Sequence, residues 1–260
     1  MYSVIVNVLN LGRIRLSGES DRLDSIRINN PPEAKFLSSA LAITIVCHGV
    51  ALLATILFLL PGLPSGNTDL AHRVSYISQH ALAWRIGWLP WQLTAISDLI
   101  LAIALVRTSW ISRTPALVSL GLTVVALLLE QPAELRWTTS GVDLAQKAFL
   151  TQNTFAYAVF ETETFRLTSY WAALFYTLAA IAWSVCLAKA GMWNRFMTIL
   201  SVLLWGTLLV VSAGPLLFAE FPPLVVSTAN AFGFNVMIVW FVIATYLVAT
   251  RRNLIDPKIG

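Results

Sequence analysis

The chain has 260 residues, 57% of them hydrophobic and 12% charged, with a formal net charge of +4 and a mean hydropathy of +0.74. Soluble domains carry about 25% charged residues, and here the apolar excess lies in long runs, which excludes an ordinary water-soluble fold and points to an integral membrane protein. The positive charge distributes by loop as membrane topology does, so no nucleic-acid partner is expected.

Residues 1–35 are mixed and polar and end in Asn29-Asn30-Pro31-Pro32. They read as a cytosolic N-terminal tail, with a weak strand-like alternation from Tyr2 to Val8 that has little to bury. No apolar region of signal-peptide length precedes Arg13 and Arg15, so no cleaved signal is expected. The first span runs from Phe36 to Leu60, long enough at 1.5 Å per residue to cross a hydrocarbon core of about 30 Å. Pro61-Gly62 ends it. Thr44, His48 and Thr55 share one of its faces, and a neutral imidazole at mid-span can donate and accept at once.

The segment from Asp69 to Val106 concentrates more polar and aromatic landmarks than any other. Asn67-Thr68-Asp69 suits a capped helix start. Trp84, Trp91 and Asp98 recur every seven residues, with Trp88, Ala95 and Ala102 interleaved, which makes one stripe on a helix. Asp98 sits inside the apolar run TAISDLILAIALV, where a carboxylate costs roughly 2.5–3.5 kcal/mol on insertion scales and so faces a bundle interior or a wet cavity. Two readings follow for Asp98, a buried ligand or proton site and a structural carboxyl bonded to a neighbouring helix. The tryptophans fit an aromatic belt at the bilayer boundary, and alternatively a ligand-stacking wall. Pro90 is expected to break the helix, so that the second span starts at Trp91 and residues from Asp69 to Trp88 form a separate surface or re-entrant helix.

The third span, Pro115 to Leu129, is only about 22 Å long. It must continue through Glu130-Gln131-Pro132-Ala133-Glu134 or stop within the membrane, and Pro132 is expected to break it there. From Val142 to Phe160 the apolar residues follow a helical period, predicting an amphipathic helix on the bilayer or capping the bundle. Three more spans follow at Ser169–Ala188, Phe196–Phe218 and Leu224–Ala249, the last two joined by a turn at Glu220-Phe221-Pro222-Pro223.

The fold class is therefore all-α, with six transmembrane helices and an additional amphipathic helix between spans three and four. The bundle covers residues 36–250, and 251–260 form a C-terminal tail. With both termini in the cytosol of a plasma (inner) membrane, twelve of the 17 basic residues fall on that side: Arg13, Arg15, Arg22, Arg27, Lys35, Arg107, Arg113, Lys189, Arg195, Arg251, Arg252 and Lys258. The two cysteines, Cys47 and Cys186, lie in apolar runs and form no CxxC pair. No phosphate loop, zinc motif or nucleophile elbow is present, and no cofactor is expected.

Counting residues from the span ends puts Asp98 about 12 Å and His48 about 18 Å from the cytosolic boundary, close enough to pair. Arg85 shares the outer boundary with Glu130, Gln131 and Glu134, and the expected site is an outward-opening cavity with Arg85 and Glu130 at its mouth, Asp98 and His48 at its floor, and Trp84, Trp88 and Trp91 on its wall. The first functional reading is a bundle that binds membrane lipid or a hydrophobic or amphiphilic small molecule, or that assembles with other membrane subunits. The second is an enzyme acting on a lipid or isoprenoid, with Asp98 or Glu130 as general acid, and the third a small transporter.

Overall fold

The computed structural model describes residues 32–218 and 223–250; the expectations for residues 1–31, for most of the turn before the sixth span and for 251–260 lie outside the described residues. Every regular element among the described residues is helical. The spans are built from α1 (Pro32–Ala54), α3 (Ala81–Arg107), α4 (Arg113–Thr138), α6 (Phe155–Phe165) running into α7 (Ala173–Lys189), α8 (Arg195–Leu217) and α9 (Pro223–Thr250). Two shorter helices, α2 (Leu70–Gln79) and α5 (Ser140–Thr151), lie in the connections. Six of these helical stretches are long and apolar enough to cross a membrane, so this is a multi-pass membrane protein.

Local sequence explains where the helices begin and turn. Asp69 caps α2 by accepting from the Ala71 amide at 2.9 Å, and Asn194 caps α8 by accepting from Met197 at 2.8 Å. The α1 span continues past Ala54 through a wide π turn, Thr55–Leu59, and a 3-10 turn, Leu60–Gly62. A second π stretch, Arg166–Ala172, carries α6 into α7. Between α5 and α6, Gln152 takes a left-handed backbone (φ 53°) and Asn153 accepts from the Phe155 amide at 3.1 Å.

Three sequence expectations are corrected here. The chain turns at His80, not at Pro90: α3 runs unbroken from Ala81 to Arg107 with Pro90 inside it. Likewise α4 passes through Pro132 to Thr138. A proline removes one backbone hydrogen bond, and in a span whose flanking residues stay packed that loss does not end the helix. The stretch from Val142 to Phe160 is two helices rather than one, of which the second opens the fourth span.

Around the bundle each span packs on the next in sequence, and α9 closes the ring against α1. Successive spans reverse direction, so residues 32 and 250 lie at the same end. The opposite end is capped by α2 and α5, which pack on each other. Large apolar side chains such as Val46, Leu53, Leu89, Leu128 and Val202 are exposed along the spans and face the acyl chains.

The interior divides into two apolar cores. The one nearer the termini gathers Leu37, Leu41, Leu105, Trp183, Trp205, Trp240 and Phe241. The one beneath the cap gathers Leu59, Ile77, Trp84, Trp88, Trp137, Tyr157 and Phe160. Close approach in the second core depends on Gly87, where an added Cβ would stand 2.6 Å from Leu59 Cδ2 and 3.0 Å from Phe58 Cβ. Leu59 is fully buried and has nowhere to retreat. Gly87→Val is therefore expected to lower stability by about 1–3 kcal/mol through overpacking. At exposed Gly121 nothing lies within 4 Å, and Gly121→Ala is expected to leave the melting temperature in detergent unchanged or slightly raised. Equal melting of the two variants would contradict the packing account.

Candidate functional site

Between the two apolar cores lies a layer of polar side chains. Thr44 and His48 enter it from α1, Thr94, Ser97 and Asp98 from α3, Thr123 and Glu130 from α4, and Tyr176 and Thr177 from α7. Thr44 and Thr123 are fully buried, and Asp98 and His48 are only 7% and 6% exposed. The heptad stripe on α3 faces this interior: Trp84, Trp88, Ala95, Asp98 and Ala102 are all buried and Trp91 is half-buried. Asp98 thus points toward protein, as the insertion cost of a carboxylate requires.

His48 and Asp98 come together, with Nε2 and Oδ2 3.9 Å apart. The opposite ring nitrogen fixes the tautomer. His48 Nδ1 lies 2.9 Å from the Thr44 carbonyl, which can only accept, so Nδ1 carries a proton. In the neutral ring Nε2 is then a bare acceptor turned to the Asp98 carboxyl. At 3.9 Å the two groups face each other without a hydrogen bond, so a proton passes between them only through a bridging water or a closer approach. Thr44 Oγ1, 3.1 Å from the Ala40 carbonyl and 3.4 Å from that of Ser97, ties α1 to α3 beside the pair.

Two further carboxyls stand above it. The register of the antiparallel pair α3/α4 is set by Trp84 Nε1 donating to the Trp137 carbonyl (3.1 Å) and by Gln131 Nε2, 3.5 Å from the Gln92 carbonyl. This places Glu130 near the level of Gln92 and Glu134 near that of Trp88, so the carboxyls from Asp98 to Glu134 spread over about 15 Å of the bundle axis. Glu134 is 1% exposed, and its Oε2 is 3.5 Å from Gln131 Nε2. The Tyr176 hydroxyl lies against the Glu130 carboxyl, with Asp98 and Glu134 both within electrostatic range. Asp98 Oδ1, Glu130 Oε2 and the Tyr176 hydroxyl are buried without a hydrogen-bond partner of good geometry. Each therefore keeps a free site for a proton or a water. No three of the His, Cys, Asp and Glu side chains among the described residues converge on one point as metal ligands would.

Of the residues expected around the cavity, Asp98 and His48 stand together. Arg85 and Glu130 do not: Arg85 points outward and donates from Nε to the Thr138 carbonyl at 2.9 Å, while Glu130 turns inward to the Asp98 layer. The reason lies in the register, which sets Arg85 against Thr138, eight residues or about 12 Å from Glu130. Trp84 and Trp88 form neither a belt at the bilayer boundary nor an open wall. They pack into Trp137, Trp88 stacked flat on it at 5.6 Å and Trp84 edge-on at 6.0 Å. Trp91 donates to Thr55 Oγ1 at 2.7 Å, at the start of the first π turn, and meets Phe234 of α9 edge-on.

Tyr176 and the cap's ion pair belong to the architecture but carry no signal in the sequence, and Glu134, expected at the outer boundary beside Arg85, is buried in the interior instead. Glu134 lies one turn from Glu130, a spacing that signals a shared face once α4 is taken as continuous. Arg73 of α2 and Glu161 of α6 form a buried two-pronged pair, Nε–Oε1 3.1 Å and Nη2–Oε2 2.6 Å, and Arg73 Nη1 also reaches the Asn67 carbonyl at 2.8 Å. Nothing in sequence joins residues 88 positions apart. On the same helix as Arg73, the Tyr76 hydroxyl donates to the Phe58 carbonyl at 2.8 Å, and partial burial pushes its phenol above the ordinary value.

Arg73→Met strands the Glu161 carboxylate in a buried setting and is expected to cost about 3–5 kcal/mol, whereas Arg73→Met with Glu161→Leu recovers most of that loss. Thermal unfolding in detergent reads both. A single variant as stable as the parent would mean that the pair does not hold the cap. Compared with known proteins, the chain matches no family model, no curated protein and no solved structure, so its own residues carry the functional reading.

Proposed function

We propose that this membrane protein takes up and passes protons within its bundle, and that of the three readings open from sequence the small transporter fits best. The observation that carries the reading is a file of titratable groups with buried polar atoms, from His48 and Asp98 through the Glu130 carboxyl and Tyr176 hydroxyl to Glu134. Ionisable side chains in a membrane interior are costly to keep and are concentrated along ion pathways and proton relays. A file suits transfer better than catalysis at one point. General acid catalysis needs one carboxyl open to a substrate, and here the carboxyl oxygens of Asp98 and Glu130 are buried among protein groups. The absence of convergence on a single centre among the described residues speaks for a proton rather than a multivalent metal as the species handled.

The proposed path starts at the His48–Asp98 pair, where Nε2 faces the carboxyl at 3.9 Å and one water can bridge them. The unpartnered Asp98 Oδ1 and Glu130 Oε2 face the Tyr176 region from two spans, and a rotating hydroxyl can accept a proton from one side and donate on the other. We assign the end bearing Lys35, Arg107, Arg113, Lys189 and Arg195 to the cytosol of a plasma (inner) membrane. These exposed residues lie on short connections or beside the termini, where basic residues direct topology.

In proteoliposomes carrying an interior pH dye, the wild-type protein is expected to relax an imposed pH gradient faster than empty vesicles. Asp98→Asn should slow that relaxation on the order of a hundred-fold, the scale of losing one positioned proton-transfer group. Asp143→Asn, on an exposed position of α5, should not change it. Wild-type vesicles no faster than empty ones, or Asp98→Asn as fast as the parent, would remove the transporter reading.

A further inference from the structure

On the lipid-facing side of α3 and α4, near the cap, a groove of about 400 Å³ is lined by Arg85, Leu89, Gln92, Leu135, Thr138 and Thr139. We propose that it holds the anionic headgroup of a membrane lipid, with Arg85 as the counter-charge. This inference does not rest on the proton reading.

Charge complementarity identifies the occupant. The groove contains one formal charge, and it is positive. Arg85 forms no ion pair among the described residues. Its only hydrogen bond among the described residues runs from Nε to the Thr138 carbonyl, which pins the exposed guanidinium at the groove and leaves both Nη groups without a partner there. The nearest carboxyls on α4, those of Glu130 and Glu134, are turned into the bundle. The neighbouring cation, Arg136, is within 3.9 Å of Glu163 and stands over the Phe160 ring instead. A planar fork of free N–H donors matches phosphate oxygens two at a time.

The apolar surroundings distinguish a lipid from a free anion. Leu82, Ile86, Leu89 and Leu93 form an exposed stripe along α3, and Leu128 and Leu135 line the facing side of α4. Acyl chains lying between these two rows would carry their headgroup to the level of Arg85. Thr138 and Thr139 add polar groups at that level, and Gln92 adds one about 10 Å deeper. A shallow groove with one charge at its polar end and leucines below is the layout of a lipid seat rather than of a site for a water-soluble ligand.

The probe is phosphatidylglycerol against phosphatidylcholine, offered as an equimolar mixture in nanodiscs, with the lipid retained after detergent extraction counted by native mass spectrometry. The wild-type protein is expected to retain phosphatidylglycerol preferentially, and Arg85→Gln to lower that preference about five-fold, the factor one basic residue contributes at an anionic surface. Thr139→Glu sets a carboxylate in the groove on an exposed position. It should give the same loss, and it decides the matter should Arg85→Gln fail to fold. Arg113→Gln, at the opposite end of the bundle, should retain the full preference. Retention unchanged in both groove variants, or lowered equally by Arg113→Gln, would overturn the proposal. So would displacement of the lipid by inorganic phosphate, because the seat would then recognise a free anion.

Discussion

A carboxyl group in the middle of a membrane has to find protein around it, and this requirement organises the bundle. Asp98 meets it by facing His48, whose ring is held from behind by the Thr44 carbonyl. With Glu130, Glu134 and Tyr176 added from the opposite spans, the polar layer draws α1, α3, α4 and α7 inward. Hydrophobic association does not drive helices together within lipid, where acyl chains are as apolar as leucine. Polar contacts and close packing must do so instead. The two apolar cores on either side of the layer fix the geometry of its groups.

The cap is held differently from the spans, by charge and aromatic packing. Arg73 and Glu161 are both buried and mutually satisfied, so α2 is tied to the start of the fourth span by a pair that loses heavily when one member goes. Below it Trp84, Trp88, Trp137 and Phe160 interlock through edge-on and stacked contacts. These aromatics sit directly above Glu134.

Periodicity and depth carried most of what was legible in the sequence. The seven-residue recurrence of Trp84, Trp91 and Asp98 identified the inward face of α3, because spacing on a helix dictates facing. Counting residues from span ends brought His48 to Asp98 for the same reason. What stayed hidden was the pairing between distant segments. The register that sets Trp84 against Trp137 separates Arg85 from Glu130, and no pattern within either helix encodes it. Pro90 and Pro132 misled in the same direction. Both are helix breakers in water, where unpaired backbone groups find solvent, but a membrane span has no such outlet and the helix persists. With α4 read as continuous, Glu134 would have fallen on the face of Glu130 at once.

The central claim is that the buried carboxyls exchange protons with the surroundings rather than serving as sealed structural groups. Infrared spectra of the protein in nanodiscs test this most directly, through the carboxyl C=O bands that Asp98→Asn and Glu130→Gln remove. Exchanging groups predict that those bands shift on transfer into deuterium oxide while the amide bands of the transmembrane helices stay protected. Carboxyl bands that hold their position for as long as the helical amides do would contradict the account.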